Sequence, residues 1–413
     1  LEYPVFPWDP NATDRFDSLT FRAGGNDRQD FTSDEWARRC QLDMGSPSSH
    51  GVFVHLYLNG LYWGLYNLVE RPAADFSASY FGGGNKENWD AVKHNFSTAE
   101  DGDTIAAQAM LAICRSGLEN NATYERLQGR NPDRTRNPAY PHYLDVPNHL
   151  DYMLCNIYHG MGDWPGHNWA AARQRDEAST GYKFFIWDGE GCFSNGDVTG
   201  VGDGAAEPYG RLKANTEFRV LFGDHVYRHL FNDGALTPEK GHERLSAISD
   251  GMEYGIVTEH ARWGHISLDA WRNLRDQRLF NYIPQRTAGA ILQLRNAGLY
   301  PWTDPPEFNR EGGVFSNAFN LVISAANDVY YTLDGRDPRE YGTGASAGDL
   351  YAIPVPISYS VRVKARARSA GGEWSALQED IFFLAAEAPL RVTEVMYNPR
   401  SPEGVETNGG VAS

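Results

Sequence analysis

The sequence predicts an α+β protein: a two-lobed domain with strands first and helices later, followed by a small all-β sandwich domain. Three observations carry this reading. Aromatic and β-branched residues alternate around an Asn-Gly turn signal early in the chain. Helical spacing takes over in the later part of the first 300 residues. Near Thr303 the text changes to short alternating strands separated by Asp-Gly and Gly-Gly. The order is not the regular strand-helix-strand repeat of a doubly wound sheet.

Taken in order, GVFVHLYLNGLYWGLYNLVE (51–70) reads as a hairpin closing at Asn59-Gly60. WDAVKHN (89–95) is a strand-like apolar run. The stretch around Met110 to Ile113 and LDYMLCNIYH (150–159) have helical spacing, the second placing Leu150, Met153, Leu154 and Ile157 on one face. Further helices are predicted over 217–232, 239–253, 268–280 and 284–298, the last opening at Pro284 and closing at Gly298. NWAAARQR and GYKFFIWD flank the turn-rich DEAST, an antiparallel hairpin. The domain boundaries read from these changes are 1–303, 304–386 for the sandwich, and 387–413 for a polar, Gly-rich tail.

Composition excludes several classes. No run of about 18 apolar residues exists, so no membrane span is predicted. Acids outnumber bases, 54 to 37, and a net charge of -17 repels a phosphate backbone, which argues against nucleic acid as a partner. Cys40, Cys114, Cys155 and Cys192 match no zinc-ribbon spacing, and both disulfides and buried thiols stay open. Only six bases are lysines, so any lysine-dependent chemistry has few candidates.

The informative stretch is GDWPGHNWAAARQRDEASTGYKFFIWDGEGCF (162–193). Asn168 and Asp188 average to position 178, inside the turn, so they are expected to face each other across the open end of the hairpin. An amide oxygen and a carboxylate so placed suit a hard divalent cation. Asp188 would be the principal ligand, and Glu190, on the same face if the strand continues, would serve a second ion. Asp163 lies five residues before Asn168 in a loop held out of helix by Pro165 and Gly166, where a carboxylate can accept a hydroxyl proton. Together these residues resemble the working end of a phosphoryl-transfer site. Side chains splayed apart, or a nearby arginine plugging the cavity, would end the case for that ribbon-held ion.

NGLYWGLYNLVERPAADFSASYFG (59–82), the GDWPGHNW and FFIWDGEGCF pair, and EHARW (259–263) resemble the spore-coat protein H (CotH) kinase family, over nearly all of 1–300. The resemblance implies an atypical protein-kinase-like fold, secreted or at the cell surface. Its implied activity is transfer of phosphate from ATP, with magnesium or manganese, to serine or threonine of extracellular or coat proteins. It implies Asp163 as catalytic base, Asn168 as a metal-helping amide and Asp188 as chief metal ligand. The DGE tripeptide departs mildly from the family's pattern at the second metal position. Such an enzyme also needs a cation on the nucleotide, for which Lys93 is the better of two upstream lysines, with Glu70 as its partner. Arg22 and Asp27 in FRAGGND flank a glycine turn able to approach phosphate.

The family normally has further strands and a lysine upstream, so the chain reads as N-terminally truncated. Residues 304–386 resemble sandwich modules found beside chitobiase-type and fibronectin III-associated domains, and PLRVTEVMYNP resembles the start of a lamin-tail-like domain. The alternative reading is a non-catalytic adhesion, structural or carbohydrate-binding module that keeps the fold, with polysaccharide as its partner. Glycoside hydrolysis is weaker still, since nothing fixes two carboxylates at the required separation.

Overall fold

The computed structural model describes residues 2–24, 31–82 and 84–385. Gly25 and Asp27 of the glycine turn, and the lamin-tail-like segment expected over 387–413, lie outside the described residues. The chain divides into two compact units: one of Leu1–Asp304 with the short segments Tyr341–Ala345 and Glu373–Leu377, the other of Pro305–Glu340, Ser346–Gly372 and the chain from Gln378.

The first unit is α+β. Its strands and helices run β1 (Leu19–Arg22), α1 (Ser33–Asp43), β2 (Gly51–Leu58), β3 (Leu61–Glu70), α2 (Ala74–Phe81), β4 (Trp89–Lys93), β5 (Asn95–Asp101), α3 (Ile105–Arg115), α4 (Asn121–Leu127), α5 (Val146–His159), β6 (Trp169–Gln174) and β7 (Lys183–Ile186). Helices then dominate: α6 (Glu207–Leu212), α7 (Thr216–Leu230), α8 (Pro238–Ser249), α9 (Glu253–Trp263), α10 (Leu268–Gln277) and α11 (Ile283–Asn296).

The β2–β3 hairpin closes at Asn59 and Gly60, both with positive φ, the backbone a two-residue turn of this kind demands. With β1 it makes a three-stranded sheet, β1-β3-β2. A second sheet runs β5-β4-β6-β7 and is covered on both faces. Trp169, Ala171, Phe184 and Ile186 enter the main core, while Ala170, Ala172 and Phe185 pack with Phe76 on the α2 side. Double coverage is why WAAA and KFFI are apolar without alternating.

Helix α5 is buried on every side from Asn148 to His159, which is more than the one apolar face its spacing predicts. Asp145 caps its start by accepting the Asn148 N–H at 3.1 Å, and Gly160 ends it in the left-handed region. The stretch predicted as one helix over 239–253 breaks at Ser249, and a separate helix, α9, follows. Helix α10 passes into α11 through a π-turn over Arg278–Tyr282. Helix α1, SDEWARRCQLD, has no visible apolar period, yet it is buried because its charges pair internally: Arg38 Nη2 donates to Glu35 at 2.8 Å and to Asn67 at 2.6 Å.

The second unit is all β in its described residues. Its strands are β8 (Glu307–Phe308), β9 (Gly313–Phe315), β10 (Phe319–Leu321), β11 (Ile323–Ser324), β12 (Asp328–Thr332), β13 (Asp349–Leu350), β14 (Val355–Ile357), β15 (Val361–Arg368) and β16 (Gln378–Leu384). Five form the sheet β13-β12-β15-β16-β9, with β16 and β9 parallel, and two pairs, β10-β14 and β11-β8, complete it. Val363, Ala365, Phe382, Leu321 and Ile357 fill its core.

All four cysteines are free and buried. Among the described residues no helix is long and apolar enough to cross a membrane.

Candidate active site

The open end of the β6–β7 hairpin carries Asn168 and Asp188, in a register one residue from the expected one. The ladder pairs Trp169 with Ile186 and Ala172 with Lys183, so the cross-strand counterpart of Asn168 is Trp187 and not Asp188. Asn168 and Asp188 both leave the ladder with φ of 61°. Asn168 therefore turns toward its own loop: its Nδ2 donates to Asp163 Oδ2 at 3.1 Å. Its backbone N–H donates to His94 Nδ1 at 3.0 Å, which fixes that ring with its proton on Nε2 when neutral. Burial, aided by Lys93 and His167, holds His94 below its ordinary range, consistent with that accepting role.

The loop carrying Asp163 is pinned at several points. Gly160 cannot carry a side chain, since a Cβ there would lie 2.4 Å from the Ser194 carbonyl. Trp164 Nε1 donates to the Tyr152 hydroxyl of α5 at 2.7 Å, and Ala205 N–H donates to the Pro165 carbonyl at 3.1 Å. Gly162 N–H donates to the Gly191 carbonyl at 3.0 Å, tying the loop before Asp163 to the turn after Asp188. Asp163 itself is exposed.

Strand β7 does not continue to Glu190 as the sequence reading supposed. Gly189–Gly191 form a single 3-10 turn that begins at Asp188. The turn still brings Glu190 beside Asp188, because both carboxylates meet one guanidinium nitrogen. Arg22 Nη2 donates to Asp188 Oδ1 in a short contact and lies 3.5 Å from Glu190 Oε2, while Nη1 lies 3.5 Å from Asp34. Burial opposes the charge of Arg22, but Asp34 and Asp188 outweigh it and raise its pKa. For Asp34, burial is likewise outweighed by Arg22 and Arg38, and its carboxyl is held below the usual range.

Lys93, at the end of β4, pairs in register with Ala170, and its Nζ sits 4.5 Å from the Trp187 ring centroid. Arg22 approaches the same indole at 5.0 Å, so two cations share one buried ring. Burial lowers Lys93 to about 8, helped by Arg71 and Arg22 and opposed by Asp188.

Glu70 does not meet Lys93. It ends β3 in the other sheet, where it is 3% exposed and accepts from the His50 N–H at 2.9 Å and the Tyr80 hydroxyl at 2.7 Å, with His50 Nδ1 at 2.7 Å. Its carboxylate is spent on that buried network.

A family model described as CotH kinase protein matches residues 8–289. The chain belongs to the CotH kinase family. Family membership implies ATP use. A comparison with curated proteins gave no match.

Within this CotH kinase domain, sequence reasoning missed Asp34, Trp187 and His94. Asp34 sits on the polar α1, whose burial rests on ion pairs that no periodicity reveals. His94 lies inside the run WDAVKHN that reads as one strand, but in the structure it turns between β4 and β5 with φ of 61°. The glycines of DGEG also find their reason here: a Cβ at Gly189 would fall 2.9 Å from Ala37, and one at Gly191 would fall 2.6 Å from the Gly162 carbonyl oxygen.

The oxygen donors at this turn are of the kind a divalent cation takes. Asp188 and Glu190 already converge on one positive point, and carboxylates are the ligands magnesium and manganese prefer. Arg22 holds that point, so a metal there requires its guanidinium to yield.

Proposed function

We propose that this protein is a metal-dependent protein kinase that transfers the terminal phosphoryl group of ATP to a serine or threonine hydroxyl on an extracellular or coat protein. The observation that carries the reading is the pairing of Asp163 with Asn168, tied by the Gly162–Gly191 bond to the turn bearing Asp188 and Glu190. Asp163, oriented by the Asn168 amide, accepts the proton of the attacking hydroxyl. Asp188 and Glu190 would hold the metal, while Asn168 serves Asp163. A bound metal neutralises charge on the transferring phosphate. Lys93 and Arg22, both beside the Trp187 ring, would supply two cations for the triphosphate, and a metal on Asp188 would require Arg22 to give up that carboxylate. Residues 304–386 act as a spacing or attachment module of the fibronectin III-like kind.

A second reading, a non-catalytic adhesion or structural module, is favoured by one observation: Arg22 is ion-paired to the carboxylate the metal needs. Phosphate incorporation from labelled ATP with magnesium or manganese, intact protein against Asp188→Ala, separates the two. The kinase reading expects incorporation that the variant loses, and equal incorporation excludes the site. In a thermal shift, ATP with metal at 100 times its dissociation constant should add about 2.7 kcal/mol of stability. No shift favours the adhesion reading.

A further inference from the structure

A second cluster of ligating side chains lies in the helical part of the first unit, on residues the phosphoryl-transfer reading does not use. His225 and His229 are one turn apart on α7, an i, i+4 spacing that puts both imidazoles on one face. Asp151 meets them from α5. His225 Nδ1 is 2.6 Å from Asp151 Oδ1, and His229 Nε2 is 3.3 Å from the same oxygen. All three side chains are more than nine-tenths buried, and their ligand atoms lie within 4.8 Å of one another.

Two features separate this group from an ordinary buried hydrogen-bond triad. The carboxylate gives one oxygen to two imidazoles. His229 Nε2 is sealed from solvent, and its one partner among the described residues is that same oxygen, 3.3 Å away and outside good hydrogen-bond geometry. An ion between the three groups would give every one of these atoms a partner. With metal-to-ligand distances near 2.0–2.2 Å, tetrahedral ligands stand roughly 3.3–3.6 Å apart, and His229 lies at the lower end of that range. His225 would back away from Asp151 by a fraction of an ångström to match.

We propose that Asp151, His225 and His229 form a binding site for a borderline divalent transition metal of the zinc or cobalt type, distinct from the magnesium or manganese position at Asp188. Two imidazole nitrogens and one carboxylate select such ions over magnesium, which prefers oxygen alone. The site clamps α7 to α5, the helix that runs directly into the loop carrying Asp163. Its role is structural support of that loop, since the group is closed to substrate by its burial.

The test uses the untagged full chain, stripped with chelator and titrated with Co²⁺ in excess Mg²⁺. One equivalent should bind with visible d–d absorption, and one equivalent of Zn²⁺ should bleach it. Asp151→Asn and His229→Gln should each weaken Co²⁺ binding more than about 100-fold, beyond the effect of an outer-shell partner. Asp188→Ala should bind Co²⁺ as the parent does, which keeps this result separate from the fate of the kinase reading. If the ligand variants fail to fold, anomalous diffraction from zinc-soaked crystals of the parent protein decides, with a peak expected between the three residues. Absence of saturable Co²⁺ binding, undiminished binding in both ligand variants, or a zinc peak elsewhere would overturn the proposal.

Discussion

Replacing Lys93 with methionine separates what the lysine does for phosphate from what it does to stability. Burial is the first cause of its depressed pKa, with Arg71 and Arg22 adding repulsion. Between about 8 and the ordinary 10.5, at 1.36 kcal/mol per pH unit, the folded state disfavours the charged amine by about 3.4 kcal/mol. The amine is only half-buried, so screening by water reduces that to about 1.5 kcal/mol. The contact with Trp187 returns about 0.5 kcal/mol to the lysine, and methionine keeps part of it through its thioether. Lys93→Met should therefore be more stable than the parent by about 1 kcal/mol near neutral pH, while losing the thermal shift with ATP.

The sign fixes a pH signature. Below about 8 the lysine is charged in both states and the full cost is present. Between about 8 and 10.5 the unfolded chain holds more protons than the folded one, so parent stability rises with pH and the advantage of the variant shrinks. Urea denaturation of both proteins at several pH values across that window reads the difference directly. A variant less stable than the parent at neutral pH, or a difference that does not change with pH, would refute the account of Lys93.

Asp163→Asn should lower phosphate transfer by about 10²–10⁴-fold while keeping the ATP-induced thermal shift, measured with labelled ATP and by melting. Glu70→Gln should cost about 1–3 kcal/mol in chemical denaturation, because it disturbs the buried His50 and Tyr80 network, yet leave the ATP shift in place. Gly191→Ala should cost about 1–3 kcal/mol and abolish transfer, since its Cβ would press on the Gly162 carbonyl and move the Asp163 loop. Arg22→Gln should tighten Mn²⁺ binding in calorimetry by taking the guanidinium off Asp188; unchanged affinity would detach the metal from that carboxylate.

Much of the fold was legible because local rules and burial agreed. The Asn59-Gly60 hairpin, α5, α7 and α11 follow from turn chemistry and helical spacing, although α5 is buried all round and not on one face alone. The β6–β7 hairpin was legible as a hairpin, but its midpoint alone could not set the register. The ladder falls half a residue from the centre that a symmetric turn would give, and that difference moves Asp188 off Asn168. The short helix α2 and the charged α1 were illegible for opposite reasons: one is too brief to show a period, the other is buried by ion pairs.

The chain's text alone carried the identity of the chemical groups and their order: an aspartate, an asparagine five residues on, a strand pair, then a second carboxylate. It also carried the spacing of His225 and His229 on a helix. Which groups touch was decided only by tertiary structure, because Arg22, Asp34, Lys93 and Asp188 come from four separate elements and Asp151 reaches the histidines from another helix. Local preference acts over a few residues of chain. Charge, burial and the packing of one element on another act through space, and they seated an arginine where linear reading placed an ion.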